Sequence, residues 1–156
     1  MKLALSICIG VILIILFFVT PSKLNSIVNI FLFLCLEFLI STFYSLLYIN
    51  LGIWKISQQA IDYLTFQTYE LIILPFSFLI FINYFLMMKS NTKRSALILF
   101  FLFMLLMAEQ FFIHFEILNR QKGILPSVVG YTLVFIISLL LIKIFQHLLR
   151  KEGIYS

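Results

Sequence analysis

The sequence predicts an all-α polytopic integral membrane helical bundle, with five transmembrane helices and one interfacial amphipathic helix. Three observations carry that reading. Hydrophobic residues make up 63% of the chain and charged residues 11%, against about 25% charged in soluble domains. Mean hydropathy is +1.17 over the whole length, which leaves no room for a sizeable aqueous domain. The apolar residues run in long stretches without the strict alternation of a membrane barrel. Backbone groups in hydrocarbon need internal partners, and helices supply them.

About 20 apolar residues are needed to cross the hydrocarbon core. The first run covers 3–20 and stops at Pro21 and Ser22. The second covers 27–49, the third 69–88, the fourth 95–118 and the fifth 124–145. Pro126 falls in the first turn of the fifth, where a proline is tolerated. Connections are short, so residues 1–156 read as a single transmembrane domain. Lys2 before an apolar run suggests a signal peptide, but the run is long and no A-x-A site follows it. It reads as an uncleaved helix.

Between the second and third runs, Ile53, Ile56, Ala60, Tyr63 and Leu64 recur at steps of three or four residues. Lys55, Gln58, Gln59 and Asp62 fill the opposite face. This pattern predicts an amphipathic helix over 52–68 lying in the interface, with Trp54 at headgroup depth. Such a helix is either a connector on the lipid surface or a lid over an outward-facing cavity.

The net charge is +5, but the basic residues sit at span ends, where they anchor helices. No nucleic-acid partner is implied. With the N-terminus outside, the inner segments hold Lys23, Lys89, Lys93, Arg94, Lys143, Arg150 and Lys151, and the outer segments hold Lys2, Lys55, Arg120 and Lys122. Seven against four favours N-terminus outside and C-terminus cytoplasmic.

Glu37, Glu70, Glu109 and Glu116 lie inside otherwise apolar segments. An acidic residue at a helix centre costs roughly 3 kcal/mol on insertion scales, so each needs a bundle interior, a wet cavity or a membrane surface. Glu37, Ser41, Tyr44, Ser45 and Tyr48 share one helix face. Glu70, Ser77 and Tyr84 repeat every seven residues, as do the pairs Glu109/Glu116 and Tyr131/Ser138. Stripes turned inward would form a hydrogen-bonded interior, with Glu37 and Glu109 at comparable depth. A hypothetical intramembrane polar site therefore comprises Glu37, Ser41, Tyr44, Glu70, Ser77, Glu109 and Glu116. Structural glue between helices is the competing reading. Pro75 inside the third run predicts a kink at the carbonyl of Leu71, beside Glu70.

No catalytic constellation is present. His114 and His147 make no HExxH or paired-histidine motif, and Cys8 and Cys35 have no CxxC spacing. Neither a metal nor a cofactor is implied. Five hydrophobic helices, Asp62-Tyr63-Leu64 leading into the third, a basic loop after it and Glu109 in the fourth form an ordered pattern. This pattern resembles small, mostly uncharacterised membrane proteins of spore-forming low-GC bacteria. The resemblance implies a bacterial inner membrane and carries no activity or site residues with it. The functional expectation is a small non-enzymatic membrane protein, a subunit or accessory component of a membrane assembly. It would have the bilayer and a protein partner or a second copy as its neighbours. The alternative is a small transporter or channel for protons or a cationic or amphipathic solute, using the intramembrane carboxylates.

Overall fold

The computed structural model describes residues 1–120 and 123–152. Helix α1 spans Lys2–Val19, and α2 spans Ser26–Ser45 and ends in a π-helical turn, Leu46–Asn50. A short strand β1, Trp54–Ile56, follows. Helix α3 (Ala60–Thr68), a π turn (Tyr69–Ile73) and α4 (Leu74–Met87) form one continuous rod, Ala60–Met87. Helix α5 is Asn91–His114, strand β2 is Leu118–Arg120 and α6 is Leu125–Lys151. Five helical spans are long and apolar enough to cross a membrane. The chain is an all-α membrane protein.

The boundary differences from the sequence reading that bear on the expected site lie at the third and fourth spans. No separate interfacial helix occupies 52–68. Gly52, at φ +57°, breaks the chain after α2, Trp54–Ile56 is extended, and α3 runs straight into the third span. The polar residues of 58–68 hide a helix that hydropathy places later. Asp62, expected on a solvated face, is 5% exposed. The fourth span ends at His114, so Glu116 lies beyond it.

Four spans close into a ring. Helix α2 packs on α4 and α6, and α5 touches α4 and α6 in turn. Helix α1 lies outside the ring on α3 and α4. Leu32, Leu36 and Ile40 of α2 meet Leu74, Phe78 and Ile82 of α4 in the buried core. Phe81 stacks on Phe101 at 4.1 Å and meets Phe135 at 5.1 Å, joining α4, α5 and α6. Because lipid is as apolar as the core, such spans associate through close packing and polar contacts rather than through the hydrophobic effect. Small residues mark the closest approaches. Ser6 and Gly10 are the buried residues of α1, and a Cβ at Gly10 would lie 3.2 Å from Ile72. At Gly130 of α6 a Cβ would fall within the ring of Phe43 on α2.

The two membrane faces are tied differently. At one, β1 and β2 pair antiparallel, with Trp54 opposite Arg120 and Ile56 opposite Leu118. This clasp joins the segment after α2 to the one between α5 and α6, burying Trp54, Ile117 and Leu118. At the same face, Lys2 Nζ donates to Asp62 Oδ1 at 3.1 Å and to the Phe115 carbonyl at 2.9 Å, holding the ends of α1, α3 and α5 together. Asp62 also sits in the first turn of α3, where a negative charge meets the positive helix end. At the other face, Asn83 donates to Asn29 Oδ1 at 3.1 Å and to the Leu79 carbonyl at 3.0 Å. Asn29 donates to Ser22 Oγ at 2.8 Å. Those amides pin the α1–α2 connection, and the sequence reading, fixed on carboxylates, passes over them.

Helix α5 ends in a Schellman turn. Ile117 N donates to the Phe112 carbonyl and Glu116 N to that of Ile113, both at 3.0 Å. Glu116 therefore occupies the left-handed position, φ +57°, and is exposed. This position favours glycine, and the side chain of Glu116 is no part of an interior site. Two outcomes are expected in reversible detergent unfolding. Glu116→Gly should stabilise the protein by about 1 kcal/mol by relieving the left-handed strain. Gly130→Ala should destabilise it by about 1–3 kcal/mol through overpacking against Phe43. Equal stability of both variants and the wild type would contradict these packing assignments.

Candidate functional site

Glu109 of α5 is 1% exposed. A carboxylate so placed needs hydrogen-bond donors, and two elements deliver them. Tyr131 OH, from α6, donates to Glu109 Oε1 at 2.8 Å. Arg120, turned inward from β2, places Nη1 3.5 Å from Oε2. Tyr131 OH also lies 2.8 Å from Tyr44 OH of α2. A phenol has one proton to donate, and Tyr131 directs its own to Glu109, so Tyr44 is the donor in that second bond. The result is a chain Tyr44–Tyr131–Glu109–Arg120 linking α2, α6, α5 and the clasp.

An aromatic shell surrounds it. Tyr44 packs against Trp54 at 5.0 Å and Phe66 at 5.4 Å, and Tyr69 against Phe112 at 4.6 Å. Trp54 Nε1, Tyr69 OH and Ser127 Oγ are also buried in this region and make no well-formed hydrogen bond among the described residues, Tyr69 lying beside Tyr44 and Tyr131 and Ser127 beside Glu109. Arg120 neutralises Glu109, so this node is formally uncharged.

Of the residues expected to share an interior site, the structure brings Tyr44 and Glu109 into one network through Tyr131. Glu37 is not in it. It lies seven residues before Tyr44 on α2, about 10 Å along the axis, half-buried and without a hydrogen bond or ion pair among the described residues. Ser41, between them, faces Glu70, which is 8% exposed in the π turn. Glu70, Ser77 and Tyr84 do not form one stripe. The π turn inserts about one extra residue, which rotates everything after it by about 100°. Glu70 consequently faces α2, whereas Ser77 and the exposed Tyr84 share a face that lines a cleft beside α1 and α5. The same turn accommodates Pro75: Leu74 N donates five residues back to Tyr69, so wider winding accompanies the proline. Glu116 is outside the helix, and Ser45 and Tyr48 of the α2 stripe are exposed.

Sequence reasoning misses Arg120, Trp54, Asn29 and Asn83. Arg120 reads as a surface anchor until the clasp turns it inward. The extended residues that follow Gly52 and Glu116 form the clasp, but three-residue strands fall below any periodicity test. Among the described residues, no group of His, Cys, Asp and Glu is arranged to hold a metal.

Comparison with known protein families, with curated proteins and with solved structures finds no match. The geometry itself is therefore the basis for a functional reading.

The hydrogen-bond chain makes a contrast testable. Tyr131→Phe removes two hydrogen bonds, one to a carboxylate, and should destabilise the protein by about 1–3 kcal/mol. Tyr69→Phe removes a hydroxyl that lies beside Tyr44 and Tyr131 without a well-formed hydrogen bond to either, and should cost less than Tyr131→Phe. Reversible unfolding in mixed micelles measures both. A larger loss for Tyr69→Phe than for Tyr131→Phe would sink the assignment.

Proposed function

We propose that this is a non-enzymatic integral membrane protein that works through the outer surfaces of its helices, as a small subunit or accessory component of a membrane assembly. One observation carries the reading. The deepest carboxylate, Glu109, is engaged by Tyr131 and Arg120 within the bundle, whereas broad apolar surface remains on α1 and α5. In the most apolar stretch of each span, 50% of residues are buried in the third, 17% in α5 and 11% in α1. Phe100, Phe103, Met104 and Met107 of α5 are all exposed.

The charge distribution supports an inner-membrane orientation with the clasp outside. On the clasp face, Lys2 is paired with Asp62 and Arg120 with Glu109, and Lys55 of β1 is exposed. Lys122, counted with that face in the sequence, lies outside the described residues. The opposite face carries Lys23, Lys89, Lys93, Arg94, Arg150 and Lys151, with Lys143 about two turns inside α6. The resemblance to small membrane proteins of spore-forming bacteria accords with this placement.

A proton or cation transporter is the second reading, favoured by Glu37 and Glu70, which have no cationic partner among the described residues. The neutralised Glu109 weighs against it, because a cation site needs surplus negative charge.

Solubilised from its native membrane in mild detergent, the protein should migrate in an assembly larger than its 18.3 kDa chain. A lone monomer overturns the subunit reading. Proteoliposome flux that is lost in Glu37→Gln and Glu109→Gln would establish the transporter in its place.

A further inference from the structure

Helix α2 turns a polar stripe to the outside of the bundle. Glu37, Ser41 and Ser45 follow at four-residue steps on one face. Glu37 and Ser41 are half-buried and Ser45 is exposed. The same side carries Leu34 and Phe38, 58% and 70% exposed. Helix α2 packs on α4 and α6, and α1 packs on α3 and α4, which leaves this side open. Glu70 of the third span, only 8% exposed, faces Ser41. Ser41 is one turn from Glu37, so both carboxylates border one groove between α2 and the third span.

Other acids in this chain receive a cation of their own. Glu109 has Arg120, and Asp62 has Lys2. Glu37 and Glu70 have none among the described residues. A carboxylate offers about four acceptor sites, and the one hydroxyl opposite Glu70 leaves most of them open. Lys23, Lys55 and Lys89 are the only Lys or Arg residues from 23 to 89, so neither helix supplies the charge at this depth.

Depth selects the occupant. Glu37 lies about 17 Å from the first residue of α2, near the middle of a hydrocarbon core about 30 Å thick. A lipid ammonium stays among the headgroups, out of reach. The face opens on acyl chains, which give a soluble cation no aqueous route. A second copy would bring the same two carboxylates. Its deepest cation, Lys143, is two residues from Phe145, which stacks on Phe31 of α2. Lys143 is therefore at least one turn from the level of Glu37, and a lysine so placed extends toward the nearer membrane face. A basic side chain on a different membrane-crossing helix meets the requirement. Ser41 and Ser45, small residues four apart, let such a helix come close.

We propose that the outward face of α2 is the docking site for a transmembrane helix of another protein, one that sets a Lys or Arg at mid-membrane against Glu37 and Glu70. The two carboxylates then serve assembly, so this site rests on the subunit reading and specifies the partner's chemistry.

The test places the full chain, carrying a donor fluorophore, in phosphatidylcholine vesicles with an acceptor-labelled transmembrane host helix of leucine and alanine that has one Lys at its centre. Energy transfer should report association about ten-fold tighter than for the same helix with Leu at the centre. Glu37→Gln and Glu70→Gln should each weaken it by about three-fold, and the double variant should reduce it to the Leu-centred level. Glu152→Gln, which removes an exposed acid at the end of α6, should leave it unchanged. Equal association of the two host helices, or an undiminished preference for Lys in the double variant, overturns the site. Energy transfer between two copies of the chain that is lost in Glu37→Gln gives the face to a second copy and overturns its assignment to another protein. These failures are distinct from that of the subunit reading, which falls on a monomer in the native membrane.

Discussion

The hydrogen bond from Tyr131 to Glu109 is the contact on which the arrangement of this bundle turns. A carboxylate at membrane depth is tolerable only where donors meet it, and those donors come from parts of the chain far apart in sequence. Tyr131 fixes the rotation of α6 against α5, and Tyr44 extends the constraint to α2. Arg120 requires the strand that carries it to turn inward, which requires the pairing with Trp54. One acidic side chain thus coordinates three helices and the clasp. Because apolar packing in lipid distinguishes poorly between one helix rotation and another, a polar contact with strict geometry supplies the selectivity.

The other polar contacts have the same logic at the membrane faces. Lys2, Asp62 and the Phe115 carbonyl gather three helix ends. Ser22, Asn29 and Asn83 do so at the opposite face without any charge. The middle of the bundle is left to leucine, isoleucine and phenylalanine, with glycine at Gly10 and Gly130 where two helices come closest. Helix α5 is held mainly through Glu109, the stacked pair Phe81 and Phe101, and β2, so its outer and lateral faces remain uncovered.

What the sequence discloses follows from which forces act locally. Five spans are legible because hydropathy is a sum over about 20 neighbouring residues. The start of the third span is not, because Asp62, Thr65, Gln67 and Thr68 dilute that sum although the helix is continuous from Ala60. The polar stripe of α2 includes Tyr44, which joins the hydrogen-bond network. Glu37, on the same stripe, lies outside the network, because helix spacing establishes a shared face but not what lies opposite at each depth. Glu109 and Tyr131 are both conspicuous in sequence, but their pairing depends on the crossing of α5 and α6. Arg120 depends on a strand of three residues, and its inward turn is a tertiary effect without a local signature.

The winding of residues 69–73 carries a further implication. Where a helix is regular, the identity of a residue decides what its face can do, and substitution is the natural way to alter it. In this stretch the wider winding absorbs one residue. Losing a single residue there would restore ordinary α-helical winding and leave Phe78, Phe81 and Asn83 turned toward their present neighbours. Losing one from the regular helix on either side would turn one part of the rod by about 100° against the other.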